Sequence, residues 1–125
     1  MIGVRSYKDL IIWRKSMELV KIVYKATSSF PQKELFGLTN QMRRAAVSIP
    51  SNIAEGQARN HTKEFVQFLY QALGSLAELD TQAIIAKELG YLKAVDSGEW
   101  IERQTAELQK MTHGLLKKLT AIDSG

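Results

Sequence analysis

Most of the side chains with chemical potential lie in one stretch, Arg43-Arg44-Ala45-Ala46-Val47-Ser48-Ile49-Pro50-Ser51-Asn52-Ile53-Ala54-Glu55-Gly56. Two adjacent guanidiniums can grip phosphate or carboxylate oxygens through forked N–H pairs. Ser48, Pro50, Ser51, Asn52 and Glu55 continue as a polar stripe, to which Glu78 and Thr81 add groups from a later helical segment. Pro50 has no amide proton and its ring clashes with the preceding turn. A helix through it must bend, or end near Val47 and restart with Ser48 as its cap. The stripe has two readings. Its small polar groups line a pocket or the mouth of an oligomer. Alternatively, the hydroxyls and Asn52 satisfy the carbonyls that Pro50 leaves without donors, while an arginine pairs with Glu55 or Glu78 across the fold. The short spacings favour the second.

Other chemistry has little to build on. His61 and His113 fall on different elements, with no carboxylate at the Glu-x-x-His spacing of helical di-metal sites. Glu78 and Asp80, two apart on a helix, cannot face one point. Ser48, Ser51 and Ser75 have no histidine near them in sequence to activate an attack, and no glycine-rich phosphate loop occurs. We therefore expect no enzyme, no metal and no cofactor.

Charge points to a binding role. Residues 1–62 hold ten Lys/Arg against four Asp/Glu, +6, whereas residues 63–125 hold seven against nine, −2. Such asymmetry suits a polyanion-binding face or a subunit whose basic side meets another copy's acidic side. It also fits plain solvated helix surface, because exposed charges interact weakly. The candidate nucleic-acid-binding residues are Lys8, Arg14, Lys15, Lys21 and Lys25 in the first helix, with Arg43, Arg44, Arg59 and Lys63 around the proline. Contacts from these would be phosphate-directed and salt-sensitive, since no base-reading module is visible. The alternative for Arg43 and Arg44 is that one or both stay within the protein in salt bridges.

Four helices must position these groups. Residues 1–6 read as an unstructured lead. Tyr7 to about Ser28 is helical, with Leu10, Trp13, Met17, Val20 and Tyr24 on one face and Leu19, Ile22 and Val23 widening it. Phe30-Pro31 ends it. The second helix starts near Lys33, with Leu35, Leu38, Met42, Ala45, Ala46 and Ile49 as its core row, and Gly56 with the polar run to His61 marks a turn. Thr62 or Asn60 is read as the cap of the third helix, whose core row is Phe65, Phe68, Leu69, Ala72, Leu73, Leu76, Leu79 and Ala83. A second row, Val66, Tyr70, Ala77 and Ile84, wants more cover than a lone small bundle supplies. Gly90 fits a helix C-cap. Ser97 can cap the fourth helix, with Trp100 as an early anchor and Ile101, Leu108, Leu115 and Ile122 as a seven-residue seam.

Short connections between four helices give an all-α, antiparallel up-down-up-down bundle with a proline-bent second helix. We read residues 1–125 as one domain, with its core over about 7–122. No cysteine, no signal-like start and no apolar run of membrane-spanning length argue for a cytoplasmic protein without a membrane partner.

Four blocks carry a resemblance: Tyr7-Lys8-Asp9-Leu10 through Trp13, the Arg43–Gly56 stretch, Lys63-Glu64-Phe65, and Ala72-Leu73-Gly74-Ser75-Leu76-Ala77-Glu78-Leu79-Asp80-Thr81. They closely resemble the bacterial four-helix-bundle proteins encoded in intervening sequences of large-subunit ribosomal RNA genes, from about Tyr7 to Leu92. That family is also similar to the accessory protein of diversity-generating retroelements, a basic pentamer that binds nucleic acid and a reverse transcriptase. The resemblance implies a homopentameric scaffold with an RNA or DNA partner. It implies no reaction. Members often carry more basic residues after the Gly56 position than Gln57-Ala58-Arg59-Asn60-His61 supplies here, and a protein partner is the alternative to nucleic acid.

Overall fold

The computed structural model describes residues 6–93 and 98–124, with side chains up to Ala121. The lead through Arg5 and the cap read for Ser97 lie outside the described residues, as does the side chain of Ile122 in the seam. The chain folds as four helices: α1 (Ile11–Thr27), α2 (Leu38–Ala58), α3 (Thr62–Glu88) and α4 (Glu99–Ser124). Short 3₁₀ turns at Tyr7–Asp9 and Gln32–Glu34 precede the first two. Among the described residues there is no strand.

Contacts give the direction of each helix. Arg43, near the start of α2, bonds Thr27 at the end of α1, and Lys87, at the end of α3, meets Glu102 in the first turn of α4. Gly56 near the end of α2 packs on Phe65 and Phe68 at the start of α3. Leu10 and Ile12 share a groove with Met111 and Leu115 of α4. Each helix thus runs opposite to its sequence neighbour, and α4 opposite to α1. The core takes Leu19 and Val23 from α1, Met42, Ile49 and Ile53 from α2, Phe65, Leu69, Leu76 and Leu79 from α3, and Ile101, Leu108 and Leu119 from α4.

Several local readings change. In α1 the buried row is Ile12, Ser16, Leu19, Val23 and Ala26; Trp13 and Val20 only flank the core, and Tyr24 is 44% exposed. Ser16 conceals this row in the sequence, yet its hydroxyl donates to the Trp13 carbonyl at 2.8 Å, which makes its burial cheap. Ser6, read as part of the lead, accepts from the Lys8 amide and caps the first turn.

The second helix begins at Leu38 rather than Lys33, which leaves Leu35 and Phe36 outside the core. Glu34 explains the later start: its Oε1 accepts from the Leu38 amide, and its Oε2 accepts from the Tyr91 hydroxyl at 2.9 Å. Pro50 is buried inside one continuous helix, so α2 does not break and restart at Ser48. Gly56 is a packing position within α2; the turn falls at residues 59–61, where Asn60 has φ 58°. His61 occupies the α3 cap position without a side-chain bond, displacing both Asn60 and Thr62 from that role. Gly90 does close α3, with φ 81° and the Tyr91 amide reaching the Ala86 carbonyl at 2.8 Å. In α4, Trp100 is 42% exposed. The buried seam there runs Ile101, Thr105, Leu108, Thr112, Leu116 and Leu119, the threonines bonding carbonyls of their own helix.

Candidate nucleic-acid interface

The nine cations do not form one patch. Arg14, Lys21 and Lys25 are seven and four residues apart, so α-helical geometry lines them up on the outer face of α1, opposite its buried row. Lys21 shares that face with Glu18, 3.2 Å away. Lys15 lies around the helix and is bound to Glu107 of α4 at 2.7 Å. Arg59 is held between Glu55 at 3.1 Å and Glu64 at 3.5 Å, and lies over the Phe68 ring. Lys63 is exposed at the start of α3, and Lys8 stands 6.0 Å from the Tyr7 ring.

The arginine pair divides. Neighbouring helical residues point about 100° apart. Arg43 is half-buried: Nε donates to Thr27 Oγ1 at 2.9 Å, and the guanidinium stacks 4.7 Å from the centre of the Tyr24 ring. Arg44 is exposed and makes no ion pair among the described residues. It lines two open clefts on either side of α2. The cleft towards α3, about 420 Å³, is lined by Gln41, Arg44, Ser48, Ser75, Glu78 and Gln82. The cleft towards α1, about 540 Å³, includes Tyr24, Asn40, Arg43, Arg44 and Val47.

The polar stripe is satisfied mostly within its own helices. Ser51 donates to the Val47 carbonyl, Asn52 to the Ser48 carbonyl and Thr81 to the Ala77 carbonyl. Ser48 Oγ lies 2.7 Å from the Ala45 carbonyl and 2.6 Å from Ser75 Oγ. One hydroxyl has one proton, so when Ser48 gives its own to the carbonyl, Ser75 donates between the pair. None of these bonds ends on the Ala46 carbonyl, the acceptor that loses its donor to Pro50. Glu55 pairs with Arg59 along α2 rather than with an arginine across the bundle, and Glu78 faces the α2–α3 cleft without an ion pair among the described residues. Among the described residues no base is bonded to Ser48 or Ser75, and the pair links α2 to α3.

Sequence reasoning missed two groups. Gln82 is 7% exposed, and its Oε1 is buried without a protein partner. Trp13 and Tyr24, read on the apolar face of the first helix, border the α1–α2 surface together with Tyr7, and Tyr7 and Trp13 meet edge to face at 5.5 Å. Their signal was a second apolar stripe on α1, parallel to the true core row.

Two titrations are displaced. The Tyr91 phenol is raised above its ordinary value by its hydrogen bond to Glu34, with desolvation adding to it. The Lys87 ammonium is raised by its bond to Glu102, against an opposing effect of burial. Both sit at the α3–α4 connection, away from the arginines. No group of three or more His, Cys, Asp or Glu that could hold a metal ion occurs among the described residues, nor any helix long and apolar enough to cross a membrane.

A family model described as 23S rRNA-intervening sequence protein matches residues 8–114. No curated protein matches the chain in sequence. Among solved structures, the chain is similar to a protein of unknown function from the S23 ribosomal protein family of Bacteroides thetaiotaomicron, with a TM-score of 0.78 and 20% identity. The match covers 86% of this chain and 96% of that one, and at such identity it concerns the fold alone.

Proposed function

The chain belongs to the 23S rRNA-intervening sequence protein family, and from that premise we propose that it is a non-enzymatic homo-oligomeric scaffold that binds RNA or DNA phosphates through its basic N-terminal half. The observation that carries the reading is the exposed cation row Arg14, Lys21 and Lys25 on α1, with Arg44 left unpaired on the adjacent helix. Contact is with phosphate oxygens, so affinity falls linearly in log–log terms with salt. The pentamer implied by resemblance would repeat a modest patch five times on one polyanion, raising avidity through effective concentration.

The test is fluorescence anisotropy with structured RNA, duplex DNA and single strands across a salt series, on protein whose mass is verified by light scattering. Charge reversal of Arg14, Lys21 and Lys25 together is expected to abolish salt-sensitive binding. Failure of a well-formed oligomer to bind any nucleic acid at low salt refutes the proposal. The second reading, a protein-interaction module, draws on exposed apolar side chains: Phe36 is 90% exposed, Ile11 61%, Tyr70 56% and Leu89 55%. It expects the same reversal to disrupt assembly or a protein complex while nucleic acid never binds.

A further inference from the structure

The seam between α1 and α2 carries two clefts that adjoin through Val47. One, about 330 Å³, is lined by Tyr7, Trp13, Met17, Val20, Pro50 and Ala54 among others. The second is the 540 Å³ cleft containing Tyr24, Arg43 and Arg44. Three aromatic rings border the seam, and its ends carry cations, Lys8 and Arg14 beside the Tyr7–Trp13 pair and the two arginines beside Tyr24. Among the described residues, no carboxylate lines either cleft. This sets the seam apart from two other clefts, which include Glu78 and Asp9 respectively.

We infer that the seam takes unpaired nucleotides, its cations meeting the phosphates and its aromatic rings stacking the bases. The inference rests on the nucleic-acid reading above and narrows it from any polyanion to single strands and loops. An apolar groove alone would suit many occupants. Here aromatic faces alternate with cations and no carboxylate among the described residues lines the clefts, Asp9 approaching only Arg14 at 3.9 Å, the composition that single-strand-binding grooves use. A duplex keeps its base faces stacked inside and can use only the cations, so discrimination between single strand and duplex is the signature. The Arg43 guanidinium lies over the Tyr24 ring, 4.7 Å from its centre, a cation at an aromatic face within the seam. Val47, 39% exposed where the two clefts meet, is the position a bound strand must cross.

The experiment uses full-length protein carrying Trp100→Phe, which leaves Trp13 as its only tryptophan. It is titrated with oligo(dT), oligouridylate and a blunt duplex at matched salt. The expected result is tighter binding of both single strands than of the duplex, with Trp13 fluorescence quenched only by single strands. Trp13→Ala, made in the Trp100-containing chain and followed by anisotropy, is expected to weaken oligo(dT) by roughly five- to 150-fold, the effect of one lost stacking platform. Val47→Glu, which adds a carboxylate at an exposed position, should weaken single strands without altering the circular-dichroism spectrum.

Equal affinity for duplex and single strand with no quenching overturns the seam while leaving the polyanion reading intact. Absence of all binding removes both. A Val47→Glu protein that loses oligomer mass but keeps oligo(dT) affinity per chain assigns the seam to a second copy and overturns the inference.

Discussion

Gly56 offers the sharpest check on how α2 and α3 meet. The turn joining them spans only residues 59–61, so the last turn of α2 and the first turns of α3 are held in close approach. A Cβ at Gly56 would lie 2.5 Å from Phe68 Cβ and 3.1 Å from Phe65 Cδ1. The nearer atom is attached directly to the α3 backbone, so the helices must separate to admit a methyl. Overpacking costs roughly 1–3 kcal/mol, and a contact this short belongs in the upper part of that range. Replacing a helical glycine with alanine returns up to about 1 kcal/mol through backbone entropy and solvation, and less in a last turn. Gly56→Ala should therefore destabilise by about 1–2 kcal/mol net. For a chain of this size that lowers the melting temperature by roughly 4–8 °C.

Two other glycines supply the opposite sign. Gly74 in α3 and Gly114 in α4 are exposed, and a Cβ at either meets nothing within 4 Å. Gly74→Ala and Gly114→Ala should each stabilise by up to about 1 kcal/mol. Urea unfolding followed by circular dichroism, at one protein concentration for all four proteins, reads the difference. If Gly56→Ala matches the two controls in sign and size, the helices are not in the contact described and the packing argument fails.

Three further outcomes are expected. Arg43→Ala should cost about 1 kcal/mol of stability through loss of its Tyr24 and Thr27 contacts, whereas Arg44→Ala should leave urea unfolding unchanged and weaken oligonucleotide binding; the reverse pattern would show that the two have been assigned the wrong roles. Gln82→Leu should raise stability by about 1 kcal/mol, because it removes a buried acceptor without a protein partner, and a comparable loss of stability would reveal a partner for that amide. Tyr91 should titrate above the ordinary tyrosine value near 10, and Glu34→Gln should bring it down. Because the folded value is raised, this interaction's contribution to stability is full below the unfolded value and fades as pH rises through the folded one. Phenolate absorbance compared with a Tyr91→Phe protein checks this, and a Tyr91 that ionises at or below pH 10 refutes it.

The helix count and most core rows of α2 and α3 were legible because apolar spacing there is uninterrupted. Where reading failed, a hydroxyl or a ring misled it. Buried Ser16 and Thr105 each bond a carbonyl of their own helix and so occupy core positions that the apolar pattern assigns to the surface. Conversely, Trp13, Tyr24 and Trp100 look like anchors by size but sit at partly covered edges. Periodicity identifies a stripe on a helix; it does not say which neighbour covers it. On α1 two stripes lie side by side, and the tertiary packing selects the one containing a serine. Gly56 was misread for a related reason, since a glycine needed for close approach looks in sequence like one needed for a turn.

The same logic governs the charges. Counting cations makes the first half uniformly basic, but the fold assigns several of them to fixed partners. Glu107 takes up Lys15 and two carboxylates take up Arg59, both at positions where sequence offered only a list of lysines and arginines. The turn after Gly56, already poor in basic residues, is thereby left with little beyond Lys63. Across the bundle, one step of helical rotation gives Arg43 a ring and a hydroxyl on α1 while leaving Arg44 facing open clefts. Of the nine candidate cations, Lys8, Lys25, Arg43, Arg44 and Lys63 make no ion pair among the described residues, and Arg43 is held by its ring and hydroxyl contacts. Tyr24, read on the apolar face of α1, is the ring that joins the α1 and α2 surfaces.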